Sequence, residues 1–225
     1  MCTMNDQNFD DAYKNYENYI RQYHESPESM PYDPNVWLYI PPDKAKHRYI
    51  LGTRGQKPLI CICENPSTAV PNDLDHTLTR ISTYIKKQTT YDSWIVLNLY
   101  PVRATNPTDL PKKMDNRLHQ SNLAAIKFVL SQFDQPDIWL AWGGDIVNTK
   151  RQYLIDCVLG FINIANDRQP NYLCAIKPTK KGHPRHPSRL KDPIELVPFD
   201  MNKYREMISN ISKNRARRAT NRTTN

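Results

Sequence analysis

Apolar residues recur along this chain in two rhythms. Between residues 7 and 25, Phe9, Tyr13, Tyr16, Tyr19, Ile20 and Tyr23 return every three or four positions, the spacing of one helical face. That stripe is read as packing onto the domain, with base stacking by exposed tyrosines as the lesser reading. Four later runs are short and nearly continuous: LICICE (59–64), WIVLNLY (94–100), IWLAWG (138–143) and NYLCAIK (171–177). Short runs rich in β-branched and aromatic residues are typical of strands buried on both faces. Helical stretches separate them at 73–88, 115–133 and 145–160. Strand alternating with helix predicts an α/β fold, a three-layer αβα sandwich around a mostly parallel four-stranded sheet.

Residues 26–43 contain Pro27, Pro31, Pro34, Pro41 and Pro42, too many for a continuous helix, and are read as a wrapping connector. The expected organisation is an N-terminal helix and connector over 1–45, an α/β domain over 46–200, and a C-terminal helix with a basic, disordered tail over 201–225. In an open α/β sheet the site lies beyond the carboxyl ends of the strands. Here those ends read ENPSTA, NLYPVRAT, WGGD and, after the fourth strand, KGHPRHPSRLK. Four polar loops are expected to converge on one edge.

Charge narrows the partners. The net charge is +8, which favours polyanions and above all nucleic acid. Lys177, Lys180, Lys181, Arg185, Arg189 and Lys191 crowd one loop that has no acid between them. Packed like charges repel unless a counter-charge arrives. No run approaches the ~18 apolar residues of a membrane span, and the first residues lack a signal-peptide pattern. A cytoplasmic monomer acting on DNA is expected.

Several chemistries lack their motifs. Neither G-x-x-x-x-G-K-[ST] nor G-x-G-x-x-G occurs, and the chain has six glycines in all, which argues against triphosphate hydrolysis and dinucleotide redox. A G-x-S-x-G elbow is missing too. The five cysteines (Cys2, Cys61, Cys63, Cys157, Cys174) form no C-x-x-C pair and are expected to be reduced and mostly buried. His183 and His186 make an H-x-x-H, but prolines break any helix there, so no metal and no cofactor is expected.

Taken in order, ENPS, IVLN, LAWG and HPSRL resemble the motifs of the uracil-DNA glycosylase superfamily. NPSTA with DHT, NLYPVRATNP, WGG and KGHPRHPSRL more closely resemble domain-of-unknown-function family 1643, a bacterial and phage family, over about residues 48 to 195. The first resemblance implies a uracil-DNA glycosylase-like fold and base excision. It makes Asn65, Asn98 and His186 the water-orienting, base-reading and base-anion-stabilising residues. Asp75 is taken as an auxiliary carboxylate; Glu64 and Asp73 are the other candidates, and if the strand continues that far, alternation lets only one of residues 64 and 65 face the site from it. Pro66 and Ser67 would border the base. Tyr100 would either stack on it or pack. Leu190 would either wedge into DNA or lie in the core. Lys180, Lys181, Arg185, Arg189 and Lys191 would meet phosphates, together with backbone N–H groups at Ser67 and Ser188.

Asn65 stands where the fastest branch of that superfamily has an acid, Ser67 where it has an aromatic residue, and Arg189 at a position usually small or proline. These departures imply a modified pyrimidine, such as a bulky cytosine derivative in phage DNA, rather than uracil. The expected function is therefore a DNA glycosylase leaving an abasic site, in base excision or defence against phage DNA. Two alternatives remain: a non-catalytic nucleic-acid binder on the same scaffold, and a nucleoside or nucleotide N-glycosidase.

Overall fold

The computed structural model describes residues 8–148 and 151–223; Cys2 and the last two residues of the basic tail lie outside them. In chain order the elements are α1 (Phe9–Glu25), β1 (Trp37–Ile40), β2 (Ile50–Thr53), β3 (Pro58–Cys63), α2 (His76–Lys86), β4 (Ser93–Asn98), α3 (Asn116–Ser131), β5 (Asp137–Leu140), α4 (Asp145–Asn148), α5 (Tyr153–Ala165), β6 (Asn171–Ala175), β7 (Leu196–Pro198) and α6 (Met201–Thr223). Local capping explains several starts. Asp75 and Asp115 accept hydrogen bonds from the N–H groups of Leu78 and Leu118 at 2.9 and 3.1 Å, satisfying donors that the first turn of a helix leaves free.

One sheet contains seven strands among the described residues, in the order β1-β2-β4-β3-β5-β6-β7. The four expected strands form its parallel centre, β4-β3-β5-β6. The expectation of four strands in all is corrected: β1 and β2 add an antiparallel hairpin at one edge, and β7 adds an antiparallel strand at the other. These three are only three or four residues long, lie among prolines or basic residues, and present too little period-2 pattern to be recognised. Gly52 is what lets β2 lie against β4, since a Cβ there would stand 2.5 Å from the Trp94 carbonyl oxygen. The β1–β2 hairpin straddles the boundary expected at residue 45.

Alternation in the central strands divides the core. Ile60, Ile62, Ile95, Leu97, Ile138 and Leu140 join the side chains of α3, α5 and α6 on one face. Leu59, Cys61, Trp94, Val96 and Trp139 join Leu78, Ile81 and Ile85 of α2 on the other. Helices thus cover both faces. The aromatic stripe of α1 is packing surface: Phe9, Tyr16 and Tyr19 are buried. The four described cysteines are buried free thiols. Within the segment 201–225, α6 runs from Met201 to Thr223. Met201, Tyr204 and Ile208 anchor its start in the core, and the Arg- and Ala-containing segment beyond favours helix continuation. No described helix is long and apolar enough to cross a membrane.

Candidate functional site

The carboxyl ends of β3, β4 and β5 and the loop after β6 enclose a cavity of about 570 Å³. Asn65, Asn98 and His186, far apart in the chain, all line it, as do Ser67, Asp75, Arg185, Ser188 and Arg189. A cavity of this size lies within the range, roughly 300–1,000 Å³, of pockets that enclose small ligands.

Asn98 ends β4 opposite Cys63 of β3. It has no exposed surface, and neither amide atom of its side chain has a hydrogen-bond partner among the described residues. An unsatisfied buried amide costs on the order of 1–3 kcal/mol. The backbone around it is well held: Asn122 Nδ2 donates to the Asn98 carbonyl at 2.8 Å and to the Leu99 carbonyl at 3.2 Å. The fold therefore fixes the strand end and leaves the amide itself for something else.

Strand pairing in β3 stops at Cys63, so Glu64 and Asn65 sit in a bend rather than on the strand. The condition for alternation, a strand continuing through both residues, is therefore not met, and both line the cavity. Asn65 Nδ2 donates to the carbonyls of Pro66 and Ala104, each at 2.8 Å. Its Oδ1 remains, an acceptor suited to orienting a water proton. Glu64 is 7% exposed, and its Oε1 is buried without a partner. Burial, with help from the Asp145 charge and against that of Arg189, pushes its carboxyl up to about 7. Such a carboxylate is poised between acid and base near neutral pH. Asp75 lines the cavity, but its Oδ1 is engaged by the α2 amide of Leu78.

The His186 ring is oriented from its own loop. The Ser188 backbone N–H donates to Nδ1 at 3.3 Å, and Ser188 Oγ lies 2.8 Å from the same atom. Since Nδ1 accepts, the neutral ring carries its proton on Nε2. Burial, reinforced by Arg189 and opposed by Asp75 and Asp145, lowers the affinity of the ring for a second proton. Gly143, with φ of +79°, lets this loop close: a Cβ there would stand 3.3 Å from the His186 Cβ. His183 instead turns its Nδ1 to the Tyr204 hydroxyl at 3.1 Å. No group of three or more metal-binding side chains is found among the described residues.

Two expected residues are placed elsewhere. Tyr100 is fully buried, its hydroxyl accepts the Asp115 N–H at 3.1 Å, and its ring packs 5.0 Å from that of Tyr153. Its backbone N–H is tied to the Glu64 carbonyl, so it braces the loop and does not stack on a ligand. Leu190 is 8% exposed and joins the core beside α2. The short turn Pro187–Arg189 ends by directing it inward, so the core reading replaces the wedge. Pro66 is buried and does not line the cavity. Lys180, Lys181 and Lys191 are exposed outside the cavity. Arg185 Nε donates to the Lys177 carbonyl at 3.0 Å, and Arg189 pairs with Asp145 at 2.8 Å.

Sequence reasoning missed Arg48 and Asp145. Arg48 precedes an apolar strand in a stretch without motif spacing, and Asp145 is visible only as the residue after two glycines. Both line the cavity. A family model described as Protein of unknown function (DUF1643) matches residues 48–188. No curated protein and no solved structure matches. Glu64, Asn65, Asn98 and His186 all fall within the matched region, and the chain belongs to the DUF1643 family.

Proposed function

We propose that the chain is a DNA N-glycosylase whose cavity receives a flipped, modified pyrimidine and leaves an abasic site. The observation that carries the proposal is Asn98: a fully buried amide with an unpaired donor and an unpaired acceptor, in one cavity with an Nε2–H imidazole and a partly titrated carboxylate. A pyrimidine edge offers the complementary acceptor and donor pair. Flipping costs a few kcal/mol, which the basic loop from Lys177 to Lys191 offsets through phosphate contacts.

In the reaction the C1′–N1 bond breaks and its electron pair leaves with the base. His186 Nε2–H donates to the carbonyl oxygen on which the base anion develops, without giving up its proton. Asn65 Oδ1 orients a water, and Glu64 takes that water's proton as its oxygen bonds to C1′. The base anion is then protonated by solvent. Glu64 replaces Asp75 as the carboxylate of choice, because Asp75 is committed to its helix cap.

The test is incubation with duplexes containing uracil, a mismatch or modified cytosine, followed by scoring alkali-labile sites. Cleavage of at least one modified-pyrimidine duplex, abolished in Asn65→Ala with His186→Ala while DNA binding persists, is the expected result. No abasic sites on any duplex overturns the proposal. Binding that survives the double substitution without any turnover to lose identifies a non-catalytic binder.

A further inference from the structure

Arg48 is a buried charge. Its side chain is 1% exposed and lines the cavity. Its described side-chain hydrogen bond runs from Nη1 to the Ala69 carbonyl at 2.9 Å, and its Nε is buried without a partner. The described residues provide it no ion pair within 4 Å: Asp145 serves Arg189, and Asp192 serves Arg80. Asp75 is the nearby carboxylate felt by Arg48, but it accepts the Leu78 N–H. A second guanidinium, Arg103, donates to the same Ala69 carbonyl at 3.1 Å and repels it.

Burial and Arg103 lower the Arg48 affinity for its proton to about 10, so the group still carries a full charge at neutral pH. A buried ion with no ion-pair partner within 4 Å costs several kcal/mol, and the nearby Asp75 charge offsets this only in part, since the net shift stays downward. Arg103 Nη1, which shares the Ala69 carbonyl with Arg48, also donates to the Ser67 carbonyl at 2.7 Å, so the Ser67–Ala69 turn lies beside Arg48, and Ser67, Thr68 and Thr105 line the same cavity. Ser67 Oγ and Thr105 Oγ1 lie 3.4 Å apart and make only a long contact with each other, leaving donors for a ligand. The N-terminus of α2 adds little, because Asp75 already neutralises it.

We infer that the Arg48 end of the cavity is a phosphate subsite, so that the ligand is held as a nucleotide unit, base at Asn98 and phosphate at Arg48 with Ser67 and Thr105. Only the base end of this statement rests on the function proposed above. A guanidinium with hydroxyl donors matches a tetrahedral oxyanion, and the cavity is larger than a base alone requires. The phosphate has two possible sources: a phosphodiester within a DNA strand, or the monoester of a free nucleotide.

Calorimetric titration of the intact protein distinguishes them. The ligands are deoxyuridine, deoxycytidine, their 5′-monophosphates, and a trinucleotide of each base without a terminal phosphate. At least one phosphate-bearing form should bind about ten-fold or more tighter than its nucleoside. The monophosphate leading points to a free nucleotide, and the trinucleotide leading to a strand. Arg48→Gln should erase that preference and leave nucleoside affinity unchanged; Arg48→Lys should retain part of it. Should Arg48→Gln not fold, inorganic phosphate must compete with the favoured phosphate form on the unaltered protein, and lack of competition overturns the subsite. Equal affinity of all forms also overturns it while leaving the base pocket standing. Tight phosphate binding that ignores base identity and Asn98→Ala leaves the subsite standing and removes the base reading. No binding of any form, inorganic phosphate included, overturns the subsite, and the base reading is then decided by the modified-pyrimidine duplexes.

Discussion

The backbone N–H of Ser188 points at Nδ1 of His186 across 3.3 Å, while the hydroxyl of the same serine lies 2.8 Å from that nitrogen. A backbone donor cannot be removed by side-chain substitution, so the tautomer is set by the chain itself. At pH 7 the nitrogen chemical shifts of His186 should report a neutral ring protonated at Nε2, in the unaltered protein and in Ser188→Ala alike. A ring protonated at Nδ1 in either protein contradicts the arrangement. Because burial lowers its proton affinity, His186 should titrate below its ordinary value.

Glu64 links pH to stability with the opposite sign from an ordinary carboxylate. Its carboxyl rises from 4.5 to about 7 on folding, so the folded chain holds a proton that the unfolded chain has lost. Its contribution is complete below pH 4.5 and fades as pH rises through 7. Glu64→Gln removes this loss and should be more stable than the unaltered protein by up to about 3 kcal/mol at pH 8, with the gap closing near pH 4. Urea unfolding at the two pH values measures it. Turnover of a DNA substrate should rise with pH through about 7 and be lost in the same variant.

Asn98 has nothing to lose within the protein. Asn98→Leu removes two unsatisfied polar atoms and fills a comparable volume, so urea unfolding should show stability unchanged or raised by about 1 kcal/mol. Ligand binding should vanish. A loss beyond about 3 kcal/mol would mean that the amide supports the fold through a partner.

Deleting residues 213–225 removes the basic end of the chain, including Arg215, whose guanidinium donates to the Val147 carbonyl. DNA affinity should fall uniformly across sequences and its salt dependence should become shallower, with base preference unchanged. A filter-binding series at several salt concentrations checks both; a changed preference would place part of the base reading in this segment.

The centre of the fold was legible because long-range burial leaves a mark on sequence: β3, β4, β5 and β6 are apolar on both faces and bounded by polar loops. Short edge strands leave no such mark, and β1, β2 and β7 emerged only from their partners. At the site, motif order brought Asn65, Asn98 and His186 to one cavity, since each sits at a strand end or on the loop beyond one. Tyr100 and Leu190 occupy equally suggestive positions, yet backbone bonding and a short turn carry them into the core. Alternation stops short of Glu64 for a local reason, because β3 ends one residue before it. Arg48 was invisible because its importance lies in what does not contact it.

The edge strands have a bearing on chemistry they never touch. With β1 and β2 on one flank and β6 and β7 on the other, the strand that carries Asn98 and the strand that leads into Glu64 have neighbours on both sides and cannot slide without breaking a ladder. A slip of a single position in β4 would trade the amide for a leucine, since Leu97 and Leu99 flank it. Loosening of strands β1 and β2 would thus reach the cavity as slack in the spacing of its walls, besides shifting Arg48, which lies between them.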